Sequence, residues 1–217
     1  MVQAMEMASV VEAVDADAPI EDVALAIALD EYPELDASRY LEILDVWADQ
    51  CRVAVEAGRD LPAKILAINR LVYDELGFRG NAEDYYDPRN SCVGQVLDRR
   101  RGLPITLTLI YKLTLEPLGV VAVHGVNAPG HFLARVEAGG DFRSMLVDPF
   151  AGGRVLSVPE AVAQIRAAVG ESVPLDADHL PLATHRAWII RMLRNLVGVF
   201  GVRDASEERL AIEELMR

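Results

Sequence analysis

The sequence predicts an α+β domain with a helical first half, a run of strands after Gly119 and a return to helix after Pro159. Three observations predict that class. Apolar residues recur at i, i+3, i+4 and i+7 through residues 20–76, the spacing of a helix with one buried face. After Gly119 the period changes to short β-branched and apolar runs divided by glycine pairs, which is strand patterning. Apolar residues make up 52% of the 217 residues, enough to fill a sizeable core.

The elements follow in order. Residues 1–18 carry Glu6, Glu12, Asp15 and Asp17 and read as a disordered acidic tail. Helical spacing over 20–31 uses Val23, Ala26, Ile27 and Ala28. It stops at Tyr32-Pro33, because a residue before proline avoids the helical region. A second helix spans 37–58 with the stripe Tyr40, Leu41, Leu44, Trp47, Ala48, Cys51 and Val55, and Gly58 sits at its C-cap. A third spans 62–76, with Ile65, Ile68, Leu71, Val72 and Leu76 inward, and stops at Gly77. Residues 77–91 form a loop rich in turn chemistry, Gly80-Asn81 and Asp87-Pro88-Arg89-Asn90-Ser91, pinned by Phe78, Tyr85 and Tyr86. A short helix covers 93–99. Pro104 opens the next, at a position where its missing N–H costs nothing, and that helix runs to about residue 116.

Strands are expected over 120–126, 131–137 and 144–148, with Gly139-Gly140 between the last two. Helices then cover 160–169 and 186–200, the latter with Trp188, Ile189, Met192, Leu193 and Leu196 inward. The chain divides into the tail at 1–18, an N-terminal helical region at 19–90, a core at 91–205 and a C-terminal helix end at 206–217.

The net charge of −13 argues against nucleic acid and anionic membrane as partners, since both need a basic footprint. No stretch reaches the roughly 18 apolar residues of a membrane helix. The nearest, 103–115, contains Lys112 and three threonines. The start of the chain lacks the basic residues of a signal peptide. Two cysteines, Cys51 and Cys92, are too few for a disulfide framework, so a reducing cytoplasm is expected. His124, His179 and His185 have no ligand-like spacing, and neither a metal nor another cofactor is expected.

One constellation carries chemistry. If Gly139-Gly140 is a two-residue hairpin turn, residue 138 lies opposite 141 and His131 lies opposite Asp148. Their Cβ atoms would then be about 4.5–5.5 Å apart, close enough for the carboxylate to orient the imidazole. Leu133 would share their face, and Phe132, Ala134, Val136 and Val147 would line the other, buried one. A histidine oriented by an aspartate is two-thirds of an acyl-transfer triad. The missing third is a serine or cysteine, best held at a helix N-terminus. The helix opened by Pro104 has no cysteine, and Thr106 and Thr108 are its first hydroxyls.

Several separated motifs agree in order with one family. Arg101-Gly102-Leu103-Pro104 through Leu118-Gly119, then Gly130-His131-Phe132-Leu133, then Val147-Asp148-Pro149-Phe150 resemble the core of transglutaminase-like proteins. The flanking text, Leu76-Gly77-Phe78-Arg79-Gly80-Asn81, Tyr86-Asp87-Pro88-Arg89-Asn90-Ser91 and Arg194-Asn195-Leu196, is similar to the SirB-type branch, also found as a domain in some F-box proteins. The resemblance covers residues 20 to 205. It implies a papain-like cysteine-proteinase core, a central helix packed on an antiparallel sheet. It also implies a catalytic cysteine at the helix start, at the position held here by Pro104, with His131 and Asp148 retained.

Each candidate has a plain alternative. His131 and Asp148 are either a remnant catalytic pair or a brace for the hairpin. Cys92, just before a short helix, is either a relocated nucleophile or a small buried side chain. Cys51 lies on a helix stripe and belongs to the core. Thr106 needs a base within about 3 Å to act as a nucleophile. Arg99-Arg100-Arg101 either meets an acidic partner or pairs with nearby acids. Gly152-Gly153 is turn chemistry, since no Lys-Ser/Thr follows. The preferred reading is a non-catalytic module that binds a protein or peptide in the groove between the Pro104 helix and the hairpin, with Asn90, Arg101, Asn127 and Gly130 as groove candidates. The alternative is a hydrolase or acyl transferase that uses Cys92 or Thr106 with His131 and Asp148. A third reading is an adaptor that binds through its acidic surface.

Overall fold

The computed structural model describes residues 20, 22–24, 36–138, 144–170 and 180–202. Of the first expected helix, Ile20 and residues 22–24 are helical and the rest lies outside the described residues, as do the acidic tail and 206–217. Helix α1 (Ala37–Ala57) starts on Asp36, whose carboxylate accepts from the amides of Ser38 and Arg39. Gly58 caps its end in an extended conformation, without the left-handed turn common at that position. Helix α2 (Leu61–Asn69) is capped by Asp60 and carries Pro62 in its first turn, and the chain then continues as a π-helix over Arg70–Glu75. Apolar spacing marked one helix here and gave no sign of the change in pitch.

Helices α3 (Val93–Arg99) and α4 (Pro104–Leu115) follow. Two-residue strands β1 (Arg79–Gly80) and β2 (Arg101–Gly102) pair in parallel and tie the 77–91 loop to the approach to α4. The main sheet is antiparallel, in the order β3 (Val121–Ala128), β4 (His131–Ala138), β5 (Ser144–Asp148) and β6 (Arg154–Leu156). Helices α5 (Val158–Val169) and α6 (His185–Val202) complete the described elements. The three-residue β6 is too short to have a readable period. Among the described residues no helix is long and apolar enough to cross a membrane.

Every residue of α4 is buried. It is the central helix, packed against β3 and β4 with α1 and α3 around it. Its polar atoms find partners inside the protein. Thr106 Oγ1 donates to the Asn90 carbonyl at 2.8 Å, Thr108 to Pro104 at 2.8 Å and Thr114 to Ile110 at 2.9 Å. Lys112 Nζ donates to the Val123 carbonyl at 3.1 Å and pairs with Glu116.

Both faces of the main sheet carry a buried apolar cluster, although His124 and Glu137 on the second face stay partly exposed. Val123, Phe132, Ala134, Val136 and Val147 pack toward α4 and Trp188 of α6. Val126, Leu133, Leu146 and Leu156 pack toward Ala161 and Ile165 of α5. Alternation along β4 predicts one buried face, and the cover that α5 gives the second is a tertiary result.

Polar residues of the 77–91 loop hold it as well as its aromatics. Asn90 is fully buried; its amide nitrogen donates to the carbonyls of Asp84 and Tyr85, and its Oδ1 accepts from Asn81 at 3.0 Å. Asp87 receives Arg89 and Arg99. Phe78 is buried, whereas Tyr86 is 75% exposed.

Gly153 adopts φ +75°, and a Cβ there would lie 2.4 Å from Asn69 Oδ1 and Tyr73 Cε2. Gly77 has the same φ with open space around it. Gly153→Ala should therefore lose about 2 kcal/mol or more, from left-handed strain plus overpacking, whereas Gly77→Ala should lose only about 1–2 kcal/mol from strain alone. Urea denaturation of the two variants separates the contributions; equal losses would refute the packing part.

Candidate functional site

The site begins at the end of β5. Asp148 is fully buried and ends the strand with a turn. Its Oδ1 accepts from the amides of Phe150 at 3.0 Å and Ala151 at 3.1 Å, and its carbonyl accepts from Gly153 at 2.9 Å. An aspartate side chain that bonds amides two and three residues on closes the turn locally. Its Oδ2 is left for the sheet face. There it receives His131 Nε2 at 2.9 Å and the amide nitrogen of Gln164 from α5.

His131 is placed by a second turn. Ala128 pairs with His131, so Pro129-Gly130 is a two-residue connection, with Gly130 at φ +65°. Proline followed by a residue at positive φ is the type II arrangement. A Cβ at Gly130 would also meet Val169 Cγ1 at 2.4 Å, so glycine is required there twice over.

The hairpin register differs from the two-residue turn expected at Gly139-Gly140. Ala134 pairs with Val147 and Glu137 with Ser144, a shift of two residues. Side chains alternate with period two, so the shift keeps both residues on one face. The same register continued sets Asp148 opposite Leu133, which makes His131 its diagonal neighbour. The two still meet, because the imidazole reaches across the diagonal with its distal Nε2. The turn residues 139–143 lie outside the described residues.

Four donors reach the Asp148 carboxylate, which suits an ionised acid with four acceptor sites in a dry place. Burial raises its pKa, but the His131 hydrogen bond and charge, with the bonds from Gln164 and Ala151, outweigh that and hold the acid below the usual carboxylate range. Nε2 faces the carboxylate and so carries a proton, and Gln164 Nε2, 3.4 Å from it, donates to the acid and only abuts the ring. Nδ1 is the ring nitrogen left for other chemistry. The His131 side chain is 13% exposed, and Phe150 closes on it edge-on at 6.3 Å, with Tyr85 beyond at 6.1 Å from Phe150.

The other nucleophile candidates are buried. Pro104 is the buried first residue of α4, and Leu103 is its N-cap with no side-chain bond. Thr106 is fully buried and its hydroxyl is committed to Asn90. Cys92 is the buried N-cap of α3, and Cys51 is buried in α1, where burial first and Glu75 second push its thiol up to about 11. Neither forms a disulfide.

The four groove candidates do not share one cleft. Asn127 and Gly130 line a hollow of about 460 Å³ beside α6. Asn90 lies inside the loop network, and Arg101 is exposed on β2. The three consecutive arginines separate as well: Arg99 bonds Asp87 at 3.0 Å, Arg100 stacks 4.3 Å over Trp47, and Arg101 faces solvent. Among the described residues no group of His, Cys, Asp and Glu could hold a metal.

Sequence reasoning missed Gln164 and Arg191. Gln164 borders the inward stripe Ala161, Ile165 and Val169, a weak signal that names no partner. Arg191 had no motif at all. The Pro129-Gly130 pair was a readable turn signal.

With this geometry in place, comparison with known proteins decides the family. Residues 38–194 match the profile of the transglutaminase-like superfamily. The chain belongs to that superfamily. A UPF0162 protein of Xylella fastidiosa strain 9a5c is 41% identical over 189 residues, which are 86% of this chain and 66% of that protein. Its counterpart in strain Temecula1 is 40% identical over 193 residues, 88% of this chain and 68% of that protein. The transglutaminase-like chain thus spans about two thirds of the length of these relatives. F-box only protein 21 of Mus musculus is 40% identical over 108 residues, 46% of this chain and 17% of that protein. No solved structure matches the chain.

The His131–Asp148 pair has a signature in acid. An unfolded aspartate titrates near pH 3.9 and folded Asp148 titrates below that, so between the two values the unfolded chain holds more protons. Stability therefore rises with pH in that window, is fully present above about pH 4, and is lost as pH falls through the folded value. Asp87, held low against its burial by Arg89 and Arg99, adds the same sign. Asp148→Asn should flatten the decline in urea midpoint between pH 4 and 2; an unchanged slope would remove Asp148 from this account.

Proposed function

We propose that the domain binds a protein or peptide without catalysing its reaction, and that Pro104 stands where catalytic relatives carry the cysteine. The observation that carries this reading is Pro104 itself, at the first turn of the buried helix α4. A prolyl ring carries no thiol or hydroxyl, and the lone pair of its nitrogen is delocalised into the peptide bond, so it cannot attack a carbonyl carbon. The nearby alternatives are poor nucleophiles in this state. The Thr106 hydroxyl donates to a backbone carbonyl, and both cysteine thiols are buried. Burial raises the pKa of Cys51 and so favours its neutral thiol, which attacks poorly. The occurrence of a similar segment within the much longer F-box only protein 21 is in keeping with a module that works as part of larger assemblies.

The intact His131–Asp148 pair favours a second reading, a hydrolase or acyl transferase that uses Cys92 or Thr106. An imidazole held by a carboxylate with Nδ1 to spare is the base such chemistry needs. Under that reading the Thr106 hydroxyl would have to leave the Asn90 carbonyl, or the Cys92 thiol would have to be uncovered, before either could act.

Incubation of the protein with a glutaminyl peptide and a primary amine decides between them. No product is expected above buffer. Turnover that disappears in both His131→Ala and Cys92→Ala, or in both His131→Ala and Thr106→Val, would overturn the non-catalytic reading. In parallel, both thiols of the native protein should react with iodoacetamide only on the timescale of unfolding, as mass spectrometry would show.

A further inference from the structure

The sequence is acidic overall, with a net charge of −13, yet one concave surface is basic. Arg186, Arg191 and Arg194 of α6 line the hollow of about 460 Å³ together with Asn127, Gly130 and Asn195. No Asp or Glu is among the described residues that line it. Residues 187, 190, 191 and 194 fall on one helical face, so α6 presents its cations toward the β3–β4 turn as a strip. Gly130 ties this hollow by one peptide bond to His131.

Arg191 is the most informative of these residues. It is half-buried, and its hydrogen bonds, both from Nη1, go to neutral acceptors, Asn127 Oδ1 at 2.6 Å and the Ala128 carbonyl at 2.8 Å. Among the described residues no carboxylate pairs with Arg191 or with exposed Arg194. Burial lowers the pKa of Arg191; Tyr85 opposes that shift and the Arg194 cation adds to it. Taking a guanidinium out of water without an anion is costly. Its position is nonetheless fixed by two bonds from Nη1, and among the described residues Nε and Nη2, which form a planar fork, have no hydrogen-bond partner. Such a fork matches a carboxylate, and a second guanidinium nearby deepens the attraction.

We infer that this cleft between α6 and the β3–β4 turn captures a carboxylate of an acidic peptide, with Arg191 as the bidentate anchor and Arg194 as the outer charge. The inference rests on the peptide-binding reading above and gives that peptide its chemistry. A ligand anchored here would run past Gly130 toward His131 and Phe150.

Fluorescence anisotropy with a capped, labelled hexaglutamate and its hexaglutamine counterpart tests this on the full chain. Hexaglutamate should bind, more weakly as sodium chloride is raised, and hexaglutamine should not. Arg194→Gln, at an exposed position that leaves folding intact, should weaken binding tenfold or more, and Arg191→Gln at least as much. Arg70→Gln, which removes the same charge from an exposed site elsewhere, should leave binding unchanged. If both peptides bind alike, or if Arg194→Gln binds like the parent, the cleft assignment falls and peptide binding survives. If neither peptide binds, both fall. Displacement of the labelled peptide by micromolar inorganic phosphate would also overturn the assignment, giving the cleft to phosphate.

Discussion

Burial of α4 on all sides is the constraint on which the rest of the structure depends. A helix without a solvent face must be enclosed by other elements, and each of its polar side chains must be satisfied inside. The consequences reach well beyond the helix. Thr106 draws the Asn90 carbonyl to it, and Asn90 in turn gathers the carbonyls of Asp84 and Tyr85. The loop before α4 is thereby folded onto the start of the helix. Lys112 spans to Val123 and so fixes the first strand of the sheet against the helix. Tyr111, fully buried, donates to Asn69, and the Asn69 amide reaches the Gly153 carbonyl beside the Asp148 turn. The central helix and the candidate site are thus linked by a short chain of hydrogen bonds.

Asp148 has the same role on a smaller scale. One carboxylate oxygen closes the turn after β5 and the other holds His131 and Gln164. A buried carboxylate is tolerated only when its lone pairs are filled, and here four donors from three parts of the chain fill them. The pair is therefore structural whatever else it does. Under the non-catalytic reading proposed above, that structural role accounts for a histidine and an aspartate kept beside Pro104. Removing either would leave buried groups unpaired, at a cost of about 1–3 kcal/mol for each.

Charge is distributed unevenly over the chain. Of the cations that sequence grouped together, Arg99 is neutralised by Asp87 and Arg100 is laid on aromatic rings. The cations that gather in a concave surface are Arg186, Arg191 and Arg194, which are spread along one helix and form no sequence motif. A cluster of like charges is built by helical periodicity and by what faces the helix, so a run of adjacent arginines is a poor guide to it.

The sequence by itself determined the α+β class, the bounds of α3 and β5, the central helix opened by Pro104 and the buried stripe of α6, because each follows from local periodicity, proline geometry or apolar content. The motifs around Pro104, His131 and Asp148 were sufficient for the family. Even the meeting of His131 and Asp148 was legible, although the turn was placed two residues away, since a shift of two preserves the face of a strand. The tertiary structure decided the rest. It set α5 over the second sheet face, brought Gln164 to the carboxylate, buried Asn90 inside a loop and turned Asn127 and Gly130 toward the arginines of α6. These outcomes depend on which elements pack together across long stretches of chain, and the period of a single helix or strand carries no record of its neighbour.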